Sequence, residues 1–210
     1  METKGLVMTG IGTDVGKTVV SAIVAQALGY DYWKPVQAGD LDNSDTMKVG
    51  KLTQGILCLP ERYRLTVPAS PHHAANIDQL IISPNDFTLP TTNRPLLIEG
   101  AGGVMVPFNY QGLVFADLME QWKLPVIVVS RHYLGSINHT LLTFELLKSR
   151  KINVAGIVFV GDENVATETI ILQKTGIRFI ARIPIVDEVN QQFVQEQALI
   201  IAPTLKQIVL

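Results

Sequence analysis

At 210 residues with 47% hydrophobic side chains, the chain is long enough for one domain with a sizeable core. Seventeen Lys and Arg against nineteen Asp and Glu leave no basic excess for nucleic acid, and no run approaches the roughly 20 apolar residues of a membrane span. The opening METKGLVMTG carries no long apolar signal segment, and Cys58 has no second cysteine to pair with, so a reducing, cytoplasmic setting is expected. Cys58 itself reads as a small half-buried apolar residue rather than a catalytic thiol.

Short apolar runs alternate with helix-like segments along the chain. Strands are expected over Leu6–Thr9, Tyr32–Lys34, Leu96–Glu99, Val126–Ser130, Val154–Val160 and Phe179–Ile183. Most lack polar alternation, as strands do when both faces of a parallel sheet are covered. Helices are expected over Lys17–Leu28, Phe115–Gln121, Ile137–Arg150 and Ala166–Thr175. That order predicts a doubly wound α/β fold, its mostly parallel sheet flanked by helices on both faces, as one domain over residues 1–210. The proline-rich stretch from Gly55 to Thr92 breaks the rhythm and reads as an excursion over the carboxyl edge of the sheet, where open α/β sheets bind ligands.

The segment LVMTGIGTDVGKT, residues 6–18, follows the first strand and enters the first helix. It resembles a Walker A phosphate loop, but the standard spacing puts the leading glycine at position 11, where Ile11 stands between Gly10 and Gly12. In the strand–loop–helix context, the N–H groups of Asp14, Val15, Gly16, Lys17, Thr18 and Val19 and the positive helix end suit a nucleotide triphosphate. Lys17 is placed to reach the terminal phosphates and Thr18 to ligate Mg²⁺. A ligand-free glycine turn opening a helix is the bland alternative.

A phosphate loop needs a carboxylate from another strand for its metal. RPLLIEGAGG supplies Glu99 at the end of a strand, followed by Gly100, Ala101 and Gly102, whose small size admits close approach of a phosphate or substrate. Glu99 at a tight turn is the plainer reading. Asp45, in LDNSDTMK, sits at a helix start, either as a cap or as a second metal ligand. Thr18, Asp45 and Glu99 together are an oxygen set suited to magnesium.

Four segments, TGIGTDVGKT, YWKPVQAG, IEGAGG and LGSINHTLLT, resemble the dethiobiotin synthetase family in order and spacing, with IPI at Ile183–Ile185 a weaker extension. The family's own loop places its leading glycine at Gly10, which accounts for the displaced spacing. The resemblance implies ATP and Mg²⁺ as cofactors, and 7,8-diaminopelargonate and CO₂ as substrates. One amine is carboxylated to a carbamate, the carbamate is phosphorylated by ATP, and the second amine closes a cyclic urea. Lys17, Lys34 and Mg²⁺ would supply positive charge to the transferring phosphoryl group, with Thr13 near the carbamate. The substrate would also meet Ala38, Gly102, Ser136 and Asn138. The helix end at Ser136 would come from a second copy in a homodimer with shared sites, or Ser136 is an ordinary helix cap. His139 reads as packed or interfacial, and backbone around Pro184 would meet the base.

Departures from the family are visible at three places. Gly12 stands where the family has Asp, and Ala38 where it often has Ser or Thr, which removes a substrate hydrogen bond or moves it to Gln37. Val160 and Gly161 stand where the family has an adenine-reading Asn, which implies relaxed nucleobase selectivity. The related partitioning and positioning ATPases are the runner-up, but their signature lysine is absent from position 12. A cobyrinate-type amidoligase would need a glutaminase domain for which the chain is too short.

Overall fold

The computed structural model describes residues 4–209. The chain runs β1 (Gly5–Gly10), α1 (Lys17–Leu28), β2 (Asp31–Trp33), β3 (Val36–Ala38), α2 (Asp45–Leu52), β4 (Cys58–Leu59), β5 (Tyr63–Leu65), α3 (Pro71–Ile77) and β6 (Leu96–Gly103). It continues through α4 (Phe115–Trp122), β7 (Val126–Arg131), α5 (Ser136–Ser149), β8 (Val154–Val160), α6 (Val165–Thr175), β9 (Phe179–Ile183) and α7 (Gln191–Val209).

Seven strands form one sheet in the order β4-β2-β6-β1-β7-β8-β9, and every described pairing in it is parallel. The central strands are apolar and buried on both faces, with Leu6, Val7 and Met8 of β1 and Val126 to Val129 of β7 at 1% exposure or less. Helix α1 is apolar almost all round because it lies between the sheet and α7, and it also packs on α2. Helix α5 packs on α6 and β7. These two groups of helices are the two outer layers expected of a doubly wound fold.

The topology places the phosphate loop. After β1 the chain turns toward β2 on one side, and its later strands β7, β8 and β9 build the other side. The carboxyl end of β1 is therefore the switch point, where neighbouring loops part and leave a crevice.

Three expectations need correction, and one helix was not foreseen. The strand from Leu96 does not stop at Glu99 but runs through the small residues to Gly103. Met8 pairs with Glu99 and Gly10 with Gly103, so β6 carries two more residues than β1 and bulges beside the loop. The Gly55–Thr92 stretch is not only an excursion: β4 extends the main sheet, and β5 pairs with β3 in a separate two-stranded parallel sheet. Helix α7 escaped the sequence reading because Pro203 lies inside it, a residue that normally ends helices. Asp45 is the first residue of α2, not its cap; Ser44 caps it by accepting from the Met47 N–H at 3.3 Å.

Gly100 has a packing reason. A Cβ there would lie 2.2 Å from Cε1 of Phe115, whose ring is fully buried. Gly100→Ala is expected to lower stability by about 1–3 kcal/mol through overpacking, read as a lower urea midpoint at unchanged slope; an unchanged midpoint would show that the ring moves freely aside.

Candidate active site

The loop between β1 and α1 alternates in hand. Asp14 and Gly16 have φ of 55° and 91°, and the residues between and beside them stay on the negative side. Such alternation turns successive N–H groups toward one concavity. Gly16 is the N-cap of α1 and no side chain caps the helix, so its first-turn N–H groups face the crevice without a side-chain acceptor. Val15 is buried and packs on Gly10, where an added Cβ would meet its Cγ2 at 2.6 Å. It therefore shapes the loop from beneath. Lys17 is also buried and donates to the Gly12 carbonyl at 2.7 Å. Burial pushes its ammonium down from 10.5 to about 8, despite the nearby Glu99.

Beside the loop, Lys34 leaves the end of β2 and its Nζ lies between two carboxylates, 2.5 Å from Asp45 Oδ2 and 3.1 Å from Glu99 Oε1. Burial alone would lower this lysine, but the two anions outweigh it and hold it above its ordinary value. Burial would likewise raise Asp45, yet the Lys34 charge and hydrogen bond, with Lys48 at 3.6 Å, keep it below the usual carboxylate range. Thr18 donates to Glu99 Oε1 at 3.0 Å, and Tyr32 donates to Glu99 Oε2 at 2.9 Å. Gln37 holds the other acid's backbone: its Oε1 accepts from the Asp45 N–H at 3.1 Å and its Nε2 donates to the Gly39 carbonyl.

Sequence reasoning missed Tyr32 as a partner, since an aromatic in a strand reads as core. It also passed over Lys48 and Arg131, which line the cleft; the Arg131 guanidinium donates to the Asp14 carbonyl at 3.3 Å. A charge at the end of an apolar strand was the signal for Arg131, and a position one helical turn from Asp45 the signal for Lys48.

These residues open on a cleft of about 420 Å³, within the range of small-molecule sites. Thr13, Asp14, Gly16, Lys17, Thr18, Val19, Lys34, Asp45, Glu99, Gly102 and Pro184 all border it. Gly102 lies against Thr13, an added Cβ standing 3.6 Å from its Oγ1. The far end is apolar, formed by Val160, Ile183, Pro184, Ile185, Val186 and Val189. Val160 packs under Gly16, at 3.3 Å from an added Cβ, and these six side chains offer a base no hydrogen bond; Arg131, paired with Val160 across the sheet, is the polar side chain beside them. At Gly12, by contrast, an added Cβ would meet nothing within 4 Å, so the loop has room for an aspartate.

Other expected residues lie apart. Val15, Gly100, Ala101 and Ala38 do not border the cleft. Ser136 and Asn138 sit at the start of α5, Ser136 buried and Asn138 exposed, and neither reaches the cleft of its own chain. Gly135, not Ser136, is the N-cap of α5, and no side chain caps it. His139 is exposed in its own chain, which leaves the interfacial of its two readings, and shares a 2.7 Å hydrogen bond between its Nδ1 and the Tyr133 hydroxyl. Cys58 is half-buried, and burial with the Asp31 charge pushes its thiol up to about 11, which leaves it an unreactive thiol.

The donor set fits magnesium. Thr18 Oγ1 and the carboxylates of Asp45 and Glu99 are hard oxygens joined through Thr18 and Lys34, and nothing softer borders them. Among the described residues no third His, Cys, Asp or Glu joins such a group. A set of two acids and a hydroxyl suits an ion that keeps waters and phosphate oxygens as its other ligands.

Two measurements follow from these charges. Lys34→Ala would leave the buried Glu99 and the partly buried Asp45 carboxylates without their shared cation, and is expected to cost about 2–4 kcal/mol of stability in chelator; a loss under about 1 kcal/mol would show the pair is hydrated. For Lys17, a pKa lowered by folding penalises the folded state below about 8, and the penalty is relieved as pH rises from about 8 to 10.5. A bound triphosphate favours the ammonium, so binding at about pH 9 should take up a proton. Calorimetry in two buffers of different ionisation enthalpy reads this directly. Uptake equal to that of Lys17→Met would contradict it.

Comparison with known proteins agrees with this geometry. A family model described as an AAA domain matches residues 4–192. The chain is 50% identical over 197 residues to the ATP-dependent dethiobiotin synthetase BioD of Christiangramia forsetii, covering 93% of this chain and 94% of that one. It is 50% identical over 183 residues to that of Afipia carboxidovorans, covering 85% and 86%, and 44% identical over 189 residues to that of Brucella ovis, covering 89% of each. Solved structures share the fold at low identity: a ParA family ATPase from Chlorobium tepidum, with TM-score 0.59 and 15% identity over 100% of this chain and 97% of that one. A putative plasmid partition protein from Borrelia burgdorferi superposes with TM-score 0.60 and 11% identity over 99% and 100%. The scaffold is thus shared widely, while the residues are shared along nearly the whole length with one group of enzymes: the chain belongs to the ATP-dependent dethiobiotin synthetase family.

Proposed function

We propose that this cleft closes a cyclic urea on 7,8-diaminopelargonate, with CO₂ supplying the carbonyl carbon and ATP the driving force, to give dethiobiotin, ADP and phosphate. The observation that carries the reading is Lys34, a buried cation outside the phosphate loop that shares one cleft with Lys17 and contacts both carboxylates. A simple ATPase has no need of it.

The reaction runs in three steps. One substrate amine adds to CO₂ and loses a proton, giving a carbamate. A carbamate oxygen attacks the γ-phosphorus and ADP leaves. The second amine attacks the carbonyl carbon and gives up a proton, phosphate departs and takes up a proton in its place, and the ring closes. Two anions must meet in the second step, so the work of the protein is positioning and positive charge. Lys17 and Lys34 act there, and Thr13 at the rim hydrogen-bonds the carbamate. The N–H groups of Asp14 and of Gly16 to Val19 hold the phosphates, with Val15 shaping the loop beneath them, and Gly102 lets the reacting groups approach. Thr18, Asp45 and Glu99 hold magnesium, which when bound neutralises phosphate charge. No side chain is required as general base, since a free amine and an anionic carbamate are already nucleophilic.

At the far end the base is gripped by shape and by backbone near Pro184, because its side-chain lining is apolar. Selectivity for adenine is accordingly weak. The substrate's carboxylate tail meets the uncapped start of α5, with Ser136 and Asn138, from a second copy of the chain. A homodimer with shared sites is what makes these two residues useful. No described helix is long and apolar enough to cross a membrane, and we place the enzyme in the cytoplasm with its soluble substrates.

The test supplies ATP, Mg²⁺, bicarbonate and 7,8-diaminopelargonate, and follows ADP release together with the cyclic urea. Release should require the diamine, and Lys34→Ala should lose at least about 100-fold in kcat. ADP release indifferent to the diamine would favour a regulatory ATPase instead.

A further inference from the structure

Glu99 is fully buried, and three donors surround its carboxylate. Oε1 accepts from Thr18 and Lys34, the two side chains that link it to the loop and to Asp45. Oε2 accepts from Tyr32 at 2.9 Å. Tyr32 is itself 0% exposed and lies on β2, whose neighbour in the sheet is β6. Its ring could be replaced in the core by that of phenylalanine; only the hydroxyl meets the site. The terminal torsion of a glutamate is broad, so the Thr18 and Lys34 bonds to one oxygen do not by themselves fix the plane of the group.

We propose that Tyr32 is a positioning residue of the metal and phosphate centre: its hydroxyl anchors Glu99 Oε2 and so fixes the carboxylate plane, keeping Oε1 beside Thr18. It touches no substrate and acts through Glu99. The inference rests on the reading that Glu99 serves the bound metal. An outer partner of this kind typically governs metal affinity by 10- to 100-fold.

ATP binding is measured by calorimetry without the diamine, across a Mg²⁺ series and in EDTA, for wild type, Tyr32→Phe, Glu99→Gln and the double variant. Tyr32→Phe should raise the half-saturating Mg²⁺ concentration by about tenfold or more while leaving binding in EDTA unchanged. In the Glu99→Gln background the same change should have no further effect, since it acts through that side chain. Wild-type Mg²⁺ dependence in Tyr32→Phe would overturn the proposal, as would an equal shift in both backgrounds. If Glu99→Gln alone leaves the Mg²⁺ dependence untouched, the metal reading of Glu99 fails first and the proposal falls with it. Should Tyr32→Phe not fold by circular dichroism, Tyr32→Met, flexible and lacking the hydroxyl, takes its place in the same series.

Discussion

A buried ammonium between two carboxylates organises this molecule. Lys34 is 6% exposed, and taking its charge out of water costs several kcal/mol that only its pairing with Asp45 and Glu99 offsets. The three groups come from the end of β2, the start of α2 and the middle of β6. For them to meet, β2 must lie next to β6, and α2 must begin with its first residue facing the sheet. Ser44 takes the capping role and leaves the Asp45 side chain free for the lysine. Gln37 fixes the backbone of the same turn.

The cluster also explains how a widely used scaffold carries a particular chemistry. A ParA family ATPase and a putative plasmid partition protein share the fold at 11–15% identity, and fold alone says nothing of the reaction. What is specific lies beside the phosphate loop: a second lysine at the end of β2, held by one acid from within β6 and one from the start of α2. A single cleft therefore gathers two lysines and the hard oxygens of Thr18, Asp45 and Glu99, and no histidine or cysteine is among its lining residues. The unreactive Cys58 and the exposed His139 are consistent with a reaction that asks for charge and not for proton shuttling.

How much of this was legible depended on the length of each signal. Strands β8 and β9 and helix α1 match their sequence expectations end to end, because long apolar runs and a flanking Gly29 leave little choice. Strands β3, β4 and β5 hold two or three residues each and have no periodicity to read. Helix α7 was hidden by Pro203. In the site, Lys34 and Glu99 were visible as charges at strand ends, but Tyr32 was not. Its ring satisfies the core pattern, and only the three-dimensional register of β2 on β6 turns its hydroxyl into a ligand of the acid. Gly100 was read as room for a ligand, whereas the structure gives that space to Phe115.

The Lys17 contact has a consequence for how the loop behaves. Its ammonium is bonded to Gly12 within the same turn, five positions back along the chain, so the loop is closed on its own cation before any phosphate is considered. In the proposed reading of Lys17, a phosphate oxygen takes over from that carbonyl as acceptor and need not fold a loose segment. The entropy of ordering the loop is met during folding rather than at binding. The nucleotide enters a mould already cast.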